Sequence, residues 1–223
     1  MREIVFDTET TGLDPKDGHR VVEIGCLELV DRVWTGTTFH EYINPDRSMP
    51  DEAYRIHGIS EEMLADKPRF QEIGQKFLDF VDGATLVAHN ATFDMRFMNW
   101  ELQNAGLSPL PMDKVVDTLA IARKRFPGAG NSLDALCRRF EVDNTDRTLH
   151  GALIDSRLLA DVYYHLMGAK QAGLELQASG MSGAAGSERP YRDPRPHLAP
   201  EDEISVHRAF LEEFVKEAVW DRA

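Results

Sequence analysis

The sequence predicts an α/β fold, in which helices flank a mixed central sheet and a linker leads to a C-terminal helix. The first part of the chain has the pattern of three strands, and the middle alternates short strands with helices. Strands followed by strand–helix alternation are typical of a mixed sheet with helices packed on it. A stretch rich in Gly, Ala, Ser and Pro then separates off the last helix. We expect a domain at 1–168, a flexible linker at 169–200 and a helix at 201–223.

Three strands are predicted at the start of the chain, at Glu3–Glu9, Val21–Val30 and Val33–Pro45. Short apolar and β-branched runs predict them, and the polar pair between the last two indicates an antiparallel meander. We expect the first strand to lie in the centre of the sheet. The segment 46–67 is rich in turn residues, which predicts irregular structure.

Helical spacing of apolar residues predicts a helix from Phe70 to Val81, closed by Gly83. A short strand, 84–90, then leads into a helix with Thr92 as its expected N-cap. The remaining predicted elements are a strand and helix over 114–126, a helix over 131–140 with an Asn-Ser cap, and a strong helix ending at Gly168.

Composition limits the classes of function. The 223 residues carry a net charge of −13, which excludes nucleic-acid binding driven by a broad basic surface but leaves binding through a metal open. No apolar run approaches the roughly 18–20 residues of a membrane span, and no signal-peptide pattern opens the chain. Cys26 and Cys137 are expected to be buried free thiols in a reducing cytoplasm.

Two carboxylates close the first predicted strand, in the run IVFDTETTGL. Side chains two residues apart on a strand point to the same face, so Asp7 and Glu9 should lie together. Like charges this close repel each other, and a divalent cation such as Mg²⁺ or Mn²⁺ removes the conflict. A solvated strand end is the alternative that this segment alone leaves open.

Two more acids and a histidine are predicted at the same sheet edge. Asp94 lies in the first turn of a helix after a strand, where ligands collect in α/β sheets, although an acid there also suits the helix dipole. Asp155 falls on the apolar stripe of its helix, and a buried carboxylate is costly unless it is paired or metal-bound. His150 precedes that helix and could take a proton from water, or have no chemical role.

The motifs DTETTG, NATFD and HGALID resemble those of the DEDDh exonucleases, in order and in separation. The segments FHEYINPDRSMPDEAYRIHGI and RKRFPGAGNSLDALCRRFEVDNTDRTLHGALIDSRLLADVY resemble more closely the proofreading epsilon subunits of bacterial DNA polymerase III. The resemblance covers Arg2–Gly168 and resumes more weakly over 201–223. It implies an RNase H-like fold and removal of mispaired 3′-terminal nucleotides as 5′-monophosphates.

The resemblance also implies roles for individual residues. Asp7, Glu9 and Asp155 would ligate two Mg²⁺ or Mn²⁺ ions, Asp94 would hold the second through water, and His150 would be the general base. The positions that would contact the substrate are Asp7, Thr8, Glu9, Thr11, Gly12, Glu52, His57, Asn90 and Asp155.

The implied partners are a single-stranded 3′ end of DNA and the replisome of a bacterial cytoplasm, with no membrane. The last helix carries an apolar stripe from Ile204 to Val219, which either folds back or docks on a partner. The resemblance favours docking on the catalytic (alpha) subunit of DNA polymerase III. The segment Gln171–Leu176 resembles a short sliding-clamp-binding peptide.

Two other functions remain open at this point. An RNA-trimming DEDDh exoribonuclease would share the three motifs, but compact RNA trimmers lack the linker and the final helix. A non-catalytic connector between clamp and polymerase would share the tail, but all five catalytic positions are intact.

Overall fold

The computed structural model describes residues 1–145, 149–168 and 199–214. The chain divides into two compact units, Met1–Glu175 and Leu176–Ala223. Within the described residues, no helix is both long enough and apolar enough to cross a membrane. The predicted clamp peptide, Gln171–Leu176, and the end of the predicted last helix lie outside the described residues.

Five strands form one mixed sheet: β1 (Arg2–Thr10), β2 (Val21–Val30), β3 (Val33–Tyr42), β4 (Thr85–Ala88) and β5 (Val115–Asp117). Their order is β3-β2-β1-β4-β5, so the first strand is central, as predicted. The meander β1-β2-β3 is antiparallel, whereas β4 is parallel to both β1 and β5. The carboxyl ends of β1, β4 and β5 therefore meet at one edge, where α/β folds bind ligands.

Helices connect and cover the strands: α1 (Asp51–His57), α2 (Glu61–Leu64), α3 (Phe70–Val81), α4 (Ala91–Asn104), α5 (Thr118–Arg125), α6 (Leu133–Phe140), α7 (Ala152–Leu166) and α8 (Glu201–Phe214). The last of these belongs to the second unit, and its apolar side chains Ile204, Val206, Phe210 and Phe214 are exposed.

Side chains alternate along β1, so its two faces pack into two different cores. Ile4 and Phe6 are buried with Phe77 of α3 and Phe97 of α4 on one face. Val5 is buried on the other face with residues of β2 and α7. A third cluster joins α5 and α6 to the outer side of α7. Full burial of such side chains contributes roughly 1.5–3 kcal/mol each, and it fixes β1 between the two layers.

The segment 46–67 is not irregular as predicted, because it contains α1 and α2. Both helices are too short to show a hydrophobic period, and local signals form them instead. Two acids open α1, and Gly58, with φ of +71°, ends it. The hydroxyl of Ser60 accepts a hydrogen bond from the N–H of Met63 and so caps α2.

Three element boundaries differ from the predicted ones. β3 ends at Tyr42 and not at Pro45, since proline has no N–H to donate to a ladder. β4 ends at Ala88 and not at Asn90. α4 begins at Ala91, with Asn90 as its N-cap in a left-handed conformation, φ +68°, so Thr92 is not the cap. Asparagine tolerates this conformation better than most residues.

Several local predictions are confirmed. The hydroxyl of Ser132 accepts from the N–H of Ala135 and caps α6. α3 spans Phe70–Val81, and Gly83 follows it with a positive φ. Cys26 and Cys137 are both buried, and neither is in a disulfide.

Candidate active site

The end of β1 brings two carboxylates to the α7 side of the sheet. Asp7 pairs in register with Gly25 of β2, and Glu9 pairs with Glu23. Both lie on the same face of β1 as Val5, because side chains alternate along a strand, and Val5 packs in the core against α7. A register irregularity follows directly after Glu9, and such irregularities re-aim side chains at functional edges.

Asp94 reaches the same edge from the first turn of α4, directly after β4. It is 3% exposed, and one carboxylate oxygen, Oδ1, accepts two hydrogen bonds from Thr8. The donors are the backbone N–H, at 3.1 Å, and the hydroxyl, at 2.7 Å. Thr8 therefore holds Asp94 against the strand that carries Asp7 and Glu9.

Asp155 and His150 come from the start of α7. Asp155 is buried, and its Oδ2 lies 3.2 Å from Nδ1 of the half-exposed His150. One ligand atom each of Glu9, His150 and Asp155 lies within 4.8 Å of the others. The backbone N–H of His150 also donates to the carbonyl of Ile56 at 3.1 Å, which ties the histidine to α1.

The electrostatics of this cluster suit a cation. Burial, together with the charges of Asp94, Glu9 and Asp155, raises the pKa of Asp7 well above its ordinary value. Burial also raises the pKa of Asp94 to about 7, although the hydrogen bonds from Thr8 favour its charged form. Carboxylates that lie close together repel each other, and a hard divalent cation bound between them neutralises that repulsion.

A cleft of about 500 Å³ opens beside the cluster. The sequence-predicted residues that line it are Thr8, Glu9, Thr11, Gly12, Glu52 and His57. Glu52 and His57 both come from α1, and burial lowers the pKa of His57, which favours its neutral form. A Cβ at Gly12 would lie 2.3 Å from the ring of His19, so a larger residue would displace that wall.

Asn90 does not line this cleft. It is exposed, and its backbone N–H donates to Oδ1 of Asp117 at 3.1 Å, which joins the β4–α4 turn to the start of α5. Its place in the structure is that of a helix cap.

Sequence reasoning missed two features beside the site. Glu23 is a buried acid that contacts both His40 and the start of α7. Its signal was visible, since it is an acid inside the apolar run VVEIG. The bond between His150 and Ile56 is made by backbone atoms, so no side-chain pattern could have indicated it.

A mixed sheet that ends in paired carboxylates, with acids from two helices and a histidine, can hold divalent cations beside a base that takes a proton from water. A family model described as Exonuclease (RNase_T) matches residues 4–163. The solved structure "Exonuclease X in complex with 5' overhanging duplex DNA" is similar at a TM-score of 0.60 and 29% identity, covering 75% of this chain and 92% of that one. The nuclease domain of 3'hExo, described as a DEDDh family member, shares the fold at a TM-score of 0.65, with 19% identity over 74% of this chain and 91% of that one.

Curated relatives narrow the class. The DNA polymerase III subunit epsilon of Rickettsia conorii is 46% identical over 226 residues, which cover 98% of each chain. The subunit of the same name from Escherichia coli is 44% identical over 229 residues, covering 95% of this chain and 92% of that one. The chain therefore belongs to the exonuclease family and, within it, to the DNA polymerase III epsilon subunits. It is a metal-dependent 3′–5′ exonuclease of the proofreading kind.

Proposed function

We propose that the chain hydrolyses the single-stranded 3′ end of DNA held by DNA polymerase III, using Asp7, Glu9, Asp94, Asp155 and His150. The observation that carries this proposal is the convergence of Glu9, His150 and Asp155, whose ligand atoms lie within 4.8 Å of one another. Their elements come from opposite ends of the domain sequence, so the arrangement is a product of the fold.

The four carboxylates would hold two divalent cations, Mg²⁺ or Mn²⁺. Their oxygen donors suit either ion, and their mutual repulsion and burial fit a positive charge among them. Bound cations would supply Lewis-acid activation of water and neutralise charge on the scissile phosphate.

His150 would act as the general base. Its Nδ1 faces Oδ2 of Asp155, and in the tautomer with the proton on Nδ1 the basic atom is Nε2. Asp155 would thus orient the imidazole so that Nε2 takes the proton of the attacking water. The half-exposed position of the ring supports transfer of that proton onward to solvent.

The cleft beside the cluster would take the terminal nucleotide. Its volume, about 500 Å³, falls within the range of small-molecule sites, roughly 300–1,000 Å³. Glu52 and His57 would contact this nucleotide from α1, with Thr8, Thr11 and Gly12 along the strand end. A mispaired end frays at lower cost than a paired one, so the cleft would select it without reading the base.

The substrate would be delivered by a partner. A net charge of −13 disfavours unaided binding to DNA, and the curated relatives are subunits of DNA polymerase III. The exposed apolar side chains of α8 support docking of this helix on the catalytic subunit. The proposal includes three parts of the chain: an exonuclease domain at 1–168, a linker at 169–200 and a polymerase-binding helix at 201–223. It also includes a contact of Gln171–Leu176 with the sliding clamp, in a cytoplasmic replisome.

Matched 3′-labelled oligonucleotides of DNA and RNA test the substrate class. We expect faster monophosphate release from single-stranded DNA than from RNA or from fully paired DNA. A clear preference for RNA would contradict the proposal. Deletion of residues 201–223 should leave nuclease activity intact and abolish co-purification with the polymerase, and retained co-purification would exclude the docking role of α8.

A further inference from the structure

Glu23 is a buried acid beside the site, and the proposed reaction does not use it. It lies on β2 directly opposite Glu9 and is 2% exposed. Its Oε1 lies 2.7 Å from Nε2 of His40, and its Oε2 accepts a hydrogen bond from the backbone N–H of Ala152 at 3.0 Å. A buried carboxylate requires such partners, and these two bridge β3, β2 and α7.

The bond to Ala152 caps α7 from another element. The N-cap residue of α7 is Gly151, which has no side chain to bond the first turn. Helices leave their first N–H groups without internal acceptors, and a carboxylate also favours the positive end of the helix dipole. Glu23 supplies this cap from 129 residues away in sequence.

Two contacts of Gly25 set how closely α7 approaches the sheet. A Cβ at Gly25 would lie 2.2 Å from the backbone nitrogen of Leu153, so the first turn rests directly on the strand. The hydroxyl of Ser156 donates to the carbonyl of Gly25 at 2.8 Å. Asp155 precedes Ser156, so its carboxylate is placed by the same turn that Glu23 caps.

We propose that Glu23 is a positioning residue for the metal site. By capping α7, it holds Asp155 at the distance from Glu9 at which both contact one divalent cation. This inference rests on the proposed roles of Asp155 and Glu9 as ligands. The property that we propose to position Asp155 is the reach of the Glu23 side chain to the N–H of Ala152.

Two substitutions separate reach from charge. Glu23→Asp keeps the charge but shortens the side chain by one methylene, and Glu23→Gln keeps the reach and an acceptor oxygen but removes the charge. Calorimetric titration of the full chain with Mn²⁺, without DNA, is the readout. We expect Glu23→Asp to bind Mn²⁺ about tenfold more weakly than wild type, and Glu23→Gln to stay within about threefold.

Glu3 of β1 offers a matched control, because it is a buried acid that contacts α7 near the opposite end from Glu23. It is 3% exposed, and its Oε1 accepts from the hydroxyl of Tyr163 at 2.7 Å. Glu3→Asp should lower the unfolding temperature and leave Mn²⁺ affinity unchanged. Wild-type affinity in Glu23→Asp would overturn the inference, as would an equal loss in Glu23→Gln or in Glu3→Asp. Mn²⁺ binding that survives Asp155→Asn would instead overturn the proposed metal site, and this inference with it.

Discussion

Thr8 donates both its backbone N–H and its hydroxyl to Oδ1 of Asp94. Thr8 stands between Asp7 and Glu9, and the alternation of β1 turns it toward α4 while its two neighbours lie on the α7 side. Thr8 therefore links Asp94 of α4 to the strand segment that carries Asp7 and Glu9.

Thr8→Val should weaken the metal site, because it removes the hydroxyl that holds Asp94 and keeps the side chain's shape. We expect about a tenfold rise in the Mn²⁺ concentration that gives half-maximal nucleotide release, as for other residues that orient metal ligands. Thr8→Ser retains the hydroxyl and should behave as wild type. Equal metal dependence in Thr8→Val and Thr8→Ser would show that the hydroxyl has no such role.

The metal-free protein should lose stability as pH rises. The pKa of Asp94 is raised from 3.8 to about 7 by burial, so the folded state binds this proton more tightly than the unfolded chain does. Its carboxyl therefore destabilises the fold progressively as pH rises from about 4 to about 7, with little further change above. In EDTA, the unfolding temperature should be higher at pH 5.5 than at pH 7.5, and Asp94→Asn should reduce that difference. An unchanged difference in Asp94→Asn would exclude this carboxyl as its source.

Gly25→Ala should destabilise the fold and impair hydrolysis, because the new Cβ would lie 2.2 Å from the backbone of α7. Overpacking of this kind costs about 1–3 kcal/mol in the free energy of unfolding, measured by chemical denaturation. Gly130→Ala is the control, since its Cβ would meet its nearest neighbour at 3.4 Å. Equal stability of the two variants would mean that α7 does not rest on Gly25 in solution.

Glu101→Ala should cost about 1–3 kcal/mol in the free energy of unfolding, because it leaves the partly exposed guanidinium of Arg20 without its carboxylate. Its two carboxylate oxygens each accept a 2.7 Å hydrogen bond from Arg20, and it is 1% exposed. The backbone of Arg20 in turn bonds the hydroxyl of Thr11 at the cleft. Asp66→Ala, which breaks the exposed pair with Lys67, should leave the free energy of unfolding almost unchanged. Similar costs for both variants would contradict the structural role of the pair between Arg20 and Glu101.

The positions of charged residues within strands and helices of clear hydrophobic period were predictable from the sequence. The alternation of β1 placed Asp7 and Glu9 together, and the apolar stripe of α7 placed Asp155 inside. Asp155 meets them because α7 packs on the same face of β1 and β2, and Asp94 reaches the same edge because β4, which leads into α4, is parallel to β1. The exonuclease family and the RNase H-like fold, inferred from resemblance, are confirmed by the comparisons.

The features that the sequence could not predict depend on contacts between distant elements. α1 has only seven residues, too few for a hydrophobic period, and it forms through its acidic start and Gly58. The cap on α7 comes from Glu23, whose partner is far away in sequence. The left-handed backbone of Asn90, which makes it the N-cap of α4, could not be predicted from the residue type.

Nucleotide release from a 3′-labelled single-stranded DNA shows whether the carboxylates of β1 hold a catalytic divalent cation. The full chain would be assayed with Mg²⁺, with EDTA, as Asp7→Ala, and as Asp79→Ala, which changes an exposed acid of α3 outside the cluster. We expect metal-dependent release of monophosphate that is lost in Asp7→Ala and retained in Asp79→Ala. Release that persists in EDTA or in Asp7→Ala would contradict this expectation, as would no release from the folded wild-type chain.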